Sequence, residues 1–232
     1  MQDVPPTAAP GKSLSHTVVA RQRAERPPPC RRCRAASWWN GWRVVLLVAA
    51  GWVAGGVERQ EQALARAKCS ACRRGFTCYP PGVYPRRQYQ LDVVAGAVAA
   101  VALGDRAVAT AAAQVSASAT SVRRWTAWVA TLGNAAELLA VAAQLDADGA
   151  AGMRVPAHEG RRPGAERAAQ VLAALEQLGA ALVRRGLRLA ERTGLGRVLA
   201  WQHTAHGDVY GLVAGRLRLS PAMAPGGGRP MR

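Results

Sequence analysis

Long uncharged hydrophobic runs are missing from this sequence. The best candidate, Val44 to Val57, holds fourteen residues between Arg43 and Glu58, three of them glycine: Gly51, Gly55 and Gly56. A spanning helix needs about 20 apolar residues, so no membrane partner is expected, and a small membrane-associated protein anchored by residues 44–57 is kept only as an alternative. Residues 1–29 hold six prolines and no apolar stretch of secretory length, which predicts no cleaved leader and a cytoplasmic location. Lysine is scarce: Lys12 and Lys68 are two of 31 basic residues, the rest being arginine. Arginine suits bidentate contact with phosphate and guanine, although a GC-rich coding bias gives the same composition.

Acidic residues are few, 14 against 31 basic, for a formal charge of +17. The imbalance sits at the front, where residues 1–90 carry 15 Lys/Arg against 4 Asp/Glu, while 91–232 carry 16 against 10. The front is therefore the part that faces a polyanion. A two-metal nuclease needs three separated carboxylates. After Thr131 the acids are Glu137, Asp146, Asp148, Glu159, Glu166, Glu176, Glu191 and Asp208, and none ends a convincing strand. No enzyme activity and no small-molecule substrate are expected.

Five cysteines are present, four of them in two C-x-x-C pairs, Cys30-Arg-Arg-Cys33 and Cys69-Ser-Ala-Cys72. Two residues between thiols let both sulfurs of a tight turn point at one ion, and two such knuckles complete a closed four-thiolate zinc shell. Residues 28–79 thus read as a zinc ribbon with Zn2+ as a structural cofactor. The 35 residues between Cys33 and Cys69 exceed the commonest spacing, which a hairpin insertion accommodates, with Trp42 to Val48 and Val53 to Val57 as strands and Gly51 near the bend. The plain alternative is that an arginine-rich chain holds these pairs by chance. Arg31, Arg32, Lys68 and Arg73 flank the knuckles and favour thiolates. Cys78 reads as a small buried apolar residue, or less simply as a substitute ligand.

Residues 80–89 form a Pro/Arg/Tyr connector. Arg86 and Arg87 are its candidates for tracking a phosphate backbone; the alternative is a solvated linker with Tyr84 and Tyr89 packed on the next helix. From Gln90 to Leu103, Leu91, Val94, Val98 and Val101 fall at helical spacing, with Asp92 in the first turn and Gly104 as the stop. Asp105 is the expected cap of a second helix reaching Val115. Ser116-Ala-Ser118 then supplies a turn, with Ser118 as N-cap of a third helix from Ala119 to Thr131. In that helix Val122, Trp125 and Val129 must face inward. Ala119, Thr120, Ser121, Arg123 and Arg124 are left outward, as in a helix-turn-helix whose recognition helix meets base edges of duplex DNA in the major groove. An ordinary three-helix bundle with solvated arginines fits the same spacing. Trp128 stacks on a partner or joins the core.

The knuckle pair, the segment Cys69-Ser-Ala-Cys72-Arg-Arg-Gly-Phe-Thr, the connector Tyr84-Pro-Arg-Arg-Gln-Tyr89 and the run from Ala111 to Trp125 together resemble a bacterial family of unknown function. Its members look like the N-terminal part of insertion-sequence transposases, a zinc ribbon followed by a helix-turn-helix ending in a Thr-Val-Arg-Arg-Trp-like sequence. The resemblance covers about residues 28–130. It implies Cys30, Cys33, Cys69 and Cys72 as ligands, Ser118 to Arg124 as the DNA-facing stretch, and a separate catalytic transposase subunit as a possible partner. The chain departs from the pattern at Ser116 and Ala117, where Gly and Val are usual, and at Ala119, where a basic residue is common.

Residues 146–164 break the helical pattern with Gly149, Gly152, Pro156, Pro163 and Gly164 and read as a linker. Beyond it, Val171, Leu175, Leu178 and Leu182 stripe a helix from Ala165 to Glu191, with Arg184, Arg185 and Arg188 near its end. That stripe packs on the helical domain or pairs with its twin in a homodimer through helix 165–191. His203-x-x-His206-x-Asp208 has no fourth ligand nearby and is expected in a surface loop. The expected fold is mainly α: a disordered tail (1–27), the small β ribbon, the connector, a helix-turn-helix three-helix domain (90–145), the linker, a C-terminal helical region (165–220) and a disordered end (221–232). The expected function is a DNA-binding protein of transposase-like or regulatory type. A protein–protein adaptor scaffolded by the ribbon is the third possibility.

Overall fold

The computed structural model describes residues 26–50, 56–79, 83, 84, 88–149, 152, 154, 163–189 and 191–206. These fall into two compact units, one drawn from Met1–Val48 and Arg59–Pro80, the other from Ala49–Glu58 and Pro81–Arg232. A small three-stranded sheet is followed by six helices.

The sheet has the order β1 (Ser37–Ala50), β2 (Val57–Cys69), β3 (Gly75–Thr77). β2 and β3 pair antiparallel, Arg66 opposite Thr77 and Lys68 opposite Gly75. The second strand thus lies at 57–69, beyond the expected Val53 to Val57. Its sequence, Val-Glu-Arg-Gln-Glu-Gln-Ala-Leu-Ala-Arg-Ala-Lys-Cys, is rich in helix formers, and tertiary pairing overrides that preference. Ala65, Ala67 and Cys69 are buried with Arg66 exposed and Lys68 half-buried between them, the period-two pattern of a half-buried strand, while Ala63 and Leu64 before them are buried on both faces. Val44 to Ala50 is strand as well, and among the described residues no single helix is long and apolar enough to cross a membrane.

The helices are α1 (Leu91–Ala102), α2 (Val108–Gln114), α3 (Ala119–Thr131), α4 (Ala135–Leu145), α5 (Pro163–Arg184) and α6 (Gly194–His206). α1, α2 and α3 each pack on the other two, and α5 packs on α1, α3, α4 and α6. Leu91, Val94 and Val98 of α1 are buried, as are Val122, Trp125 and Val129 of α3. The stripe of Val171, Leu175, Leu178 and Leu182 is at most 1% exposed within this one chain.

Two boundaries differ from expectation. Asp105 caps nothing: it takes a left-handed conformation (φ 52) at the end of α1, where the Arg106 N–H reaches back to the Ala100 carbonyl, and α2 begins after Ala107. α5 stops at Arg184 and does not run to Glu191, because Gly186 (φ 87) ends it. There Leu187 N–H bonds the Leu182 carbonyl and Gly186 N–H the Val183 carbonyl, a Schellman closure that needs glycine's freedom. Arg184 then forms an ion pair with Asp146 just past the end of α4.

Candidate functional site

The two C-x-x-C pairs fold into matching turns. In each, the first cysteine's N–H bonds a carbonyl five residues on, Cys30 to Ala35 at 2.9 Å and Cys69 to Arg74 at 3.0 Å. In each, the residue after the second cysteine is left-handed, Arg34 and Arg73 both at φ 60. The sheet places the second turn at the end of β2, and Ser70 joins the turns by donating its N–H (2.9 Å) and hydroxyl (2.8 Å) to the Ala36 carbonyl.

All four sulfurs, of Cys30, Cys33, Cys69 and Cys72, lie within 4.8 Å of one another. Cys30 Sγ is 3.7 Å from Cys72 Sγ, and Cys33 Sγ is 3.4 Å from Cys69 Sγ. A tetrahedral ion with metal–sulfur bonds of about 2.3 Å requires sulfurs about 3.8 Å apart. The cluster is already close to that size, and the four side chains can hold one metal ion. Cys30 and Cys69 are buried while Cys33 is exposed, so the site sits at the surface of the unit with a covered base.

The thiols are unequal. N–H groups of Cys33 and Arg32 aimed at the Cys30 sulfur hold it down to about 6, against an ordinary value of 9.0. Burial pushes Cys69 up, but the Cys72 N–H and the Cys33 sulfur outweigh it and leave Cys69 lowered. For Cys72 the Arg74 N–H pulls down, yet desolvation and the neighbouring sulfurs push it up to about 11. One metal charge would collapse this sequence of protonations, since a bound thiol is deprotonated outright. Cys78 stands outside the cluster, with burial raising it to about 11 despite Arg31.

The second candidate site is α3. Ser118 caps it, its Oγ accepting the Ser121 N–H at 3.1 Å and lying 2.9 Å from Ser121 Oγ. These two hydroxyls serve the helix start. Thr120, Arg123 and Arg124 are exposed, Ala119 half-buried, and three- and four-residue spacing puts 120, 123 and 124 on one face. Tyr89 pins the turn before α3: its hydroxyl donates to the Ser116 carbonyl at 2.8 Å and its ring meets Trp125 edge-on at 4.8 Å. Tyr84 is buried, 6.2 Å from the His203 ring. Arg86 and Arg87 lie outside the described residues.

Ser116 is left-handed, φ 51, a conformation costing a non-glycine residue roughly 1–2 kcal/mol. Ser116→Gly should therefore raise stability by about 0.5–1 kcal/mol after the added freedom of the unfolded chain is subtracted. Thermal melting checks this, and an unchanged or lower Tm would show that the turn carries no such cost.

His203 and His206 are on α6 and not in a loop; Asp208 lies outside the described residues. Sequence reasoning missed the use of Asp92, whose carboxylate accepts the N–H groups of Arg192 and Thr193 and the Thr193 hydroxyl. Thr193 Oγ1 in turn accepts the Gly196 N–H at 3.2 Å at the start of α6. No local signal gives a partner a hundred residues away. No family model matches the chain, and no curated protein or solved structure matches it either.

Proposed function

We propose that the protein binds duplex DNA, with α2 and α3 acting as a helix-turn-helix and a structural zinc ion fastening the hairpin. The observation that carries this reading is the divided surface of α3. Val122, Trp125 and Val129 anchor one side, while Thr120, Arg123 and Arg124 stand exposed together near its N-terminal half. A recognition helix presents its N-terminal residues to base edges in this way. Zinc suits the four cysteines because thiolate-only shells are closed and leave no open position for a substrate, so the metal's work is structural. The charge of +17 supplies attraction to phosphate without sequence preference. In this reading the protein acts by binding and not by chemistry, as a regulator or as the DNA-binding partner of a transposase.

Affinity for a duplex should fall steeply with salt, giving a straight line of negative slope in log K against log salt. Arg124→Ala should cost about 1–3 kcal/mol of discrimination at one base position, measured by competition between selected and scrambled duplexes. A flat salt dependence, or equal affinity of the variant and the parent for both duplexes, would reject the reading.

A further inference from the structure

The hairpin presents a chemistry that α3 does not use. Trp42, Val44 and Leu46 alternate along β1 and are 49%, 55% and 51% exposed, and Trp38 nearer the first knuckle is 37% exposed. Alternation puts Trp42, Val44 and Leu46 on one face of the pleat, while Arg43 on the other is exposed as well, Val45 half-buried and Leu47 buried. This strip lies in a field of positive charge, since residues 26–79 hold ten Lys/Arg and two Asp/Glu. Two arginines already lie against rings. The Arg73 guanidinium lies 5.4 Å from the centre of Trp38, and Arg43 lies 5.9 Å from the centre of Tyr79 while donating to its hydroxyl at 2.8 Å.

An exposed apolar strip ordinarily marks a protein or lipid contact. Two features favour another occupant. Gly41 within β1 has φ 77, and a left-handed residue in an outer strand twists the edge away from adding a further strand. The second is the mixture itself: aromatic faces interleaved with guanidinium groups form the surface on which unpaired bases stack while arginines meet the backbone. Paired bases inside a duplex offer no such faces. We infer that β1 is a stacking platform for single-stranded nucleic acid, with Trp38 and Trp42 as base-stacking residues and Arg73 beside the phosphates. The inference does not depend on α3 reading duplex DNA.

The test is fluorescence anisotropy with the full, metal-loaded chain and labelled oligo-dT of about 15 nucleotides, within the span of such surfaces. An abasic strand of equal length and a duplex run in parallel. Oligo-dT should bind about tenfold more tightly than the abasic strand, and Trp38→Ala with Trp42→Ala should remove about a tenfold advantage while duplex affinity and metal content stay the same. Equal binding of oligo-dT and the abasic strand by the unaltered chain would overturn the proposal, and needs no variant to fold. So would retention of oligo-dT affinity by a double variant that keeps its metal. Binding to phosphatidylserine-containing vesicles that the two substitutions abolish, with no preference for bases, would instead assign the strip to a lipid surface.

Discussion

Cys69→Ser should abolish metal binding by the four-cysteine cluster and unfold the hairpin unit, while the helices keep their far-ultraviolet signal. The parent should carry one ion per chain by elemental analysis. The effect is large because a structural four-thiolate zinc site contributes apparent binding energy on the order of 10–16 kcal/mol directly to folding. Among the described residues the pairing of β1 with β2 and the Ser70 bonds to Ala36 also tie the two turns, but a hairpin this small is marginal in water without a further fastening. Limited proteolysis should cut residues 26–79 of the variant and spare α1 to α6. Cys78→Ser is the control and should retain the ion, since its sulfur is outside the cluster. A Cys69 variant that still binds one ion, or a hairpin that stays protected without it, would show that the knuckles are not a metal site. Loading depends on pH in a set direction. At neutral pH the ion must displace a proton from Cys72, raised to about 11, whereas Cys30, lowered to about 6, is already a thiolate. As pH falls through about 6, protons compete for Cys30 as well, and affinity drops more steeply.

Gly194→Ala should be the most damaging single methyl in the helical unit. A Cβ there would fall on Glu176 Cα and the Leu175 carbonyl of α5, well inside 3.0 Å, and one at Gly179 would lie 2.7 Å from Gly194 Cα. Two helix backbones meet at these glycines, and backbone cannot rotate out of the way. Overpacking of this kind costs about 3 kcal/mol or more, which lowers Tm by roughly 6–12 °C in a domain of this size. Gly164→Ala on the same α5 meets nothing within 4 Å and should be neutral or add up to about 1 kcal/mol through helix propensity. A thermal melt of both variants decides the matter. Similar melting of the two would mean that the close approach is not what holds α5 against α6.

What could be read from the sequence was local. α3 begins at Ala119 and ends at Thr131 as its cap and its Val-Trp-Val spacing indicate, because the signals lie within a few residues of what they control. The four clustered cysteines were legible for a different reason: two-residue spacing encodes a turn, and two such turns together supply the four sulfurs that one ion can take. β2 was hidden because the segment from Glu58 to Lys68 has the composition of a helix, and its strand form is set by pairing with residues far from it. The end of α5 was marked by Gly186, a signal that the apolar stripe before it and Arg188 beyond it obscure. The Gly179–Gly194 approach and the Asp92 bonds left no mark in local pattern, since each depends on where a distant helix arrives.

The Asp92 bonds also bear on the order of assembly. α1 is among the first helices of its unit to be synthesised, yet the carboxylate in its opening turn waits for Arg192 and Thr193, close to the end of the described chain. Bringing together groups so widely separated carries a loop-closure cost. The bond between the opening turn of α1 and the approach to α6 therefore cannot form until residues 192 and 193 have been made. A chain cut short before residue 192 would expose an acidic first turn with nothing to receive it.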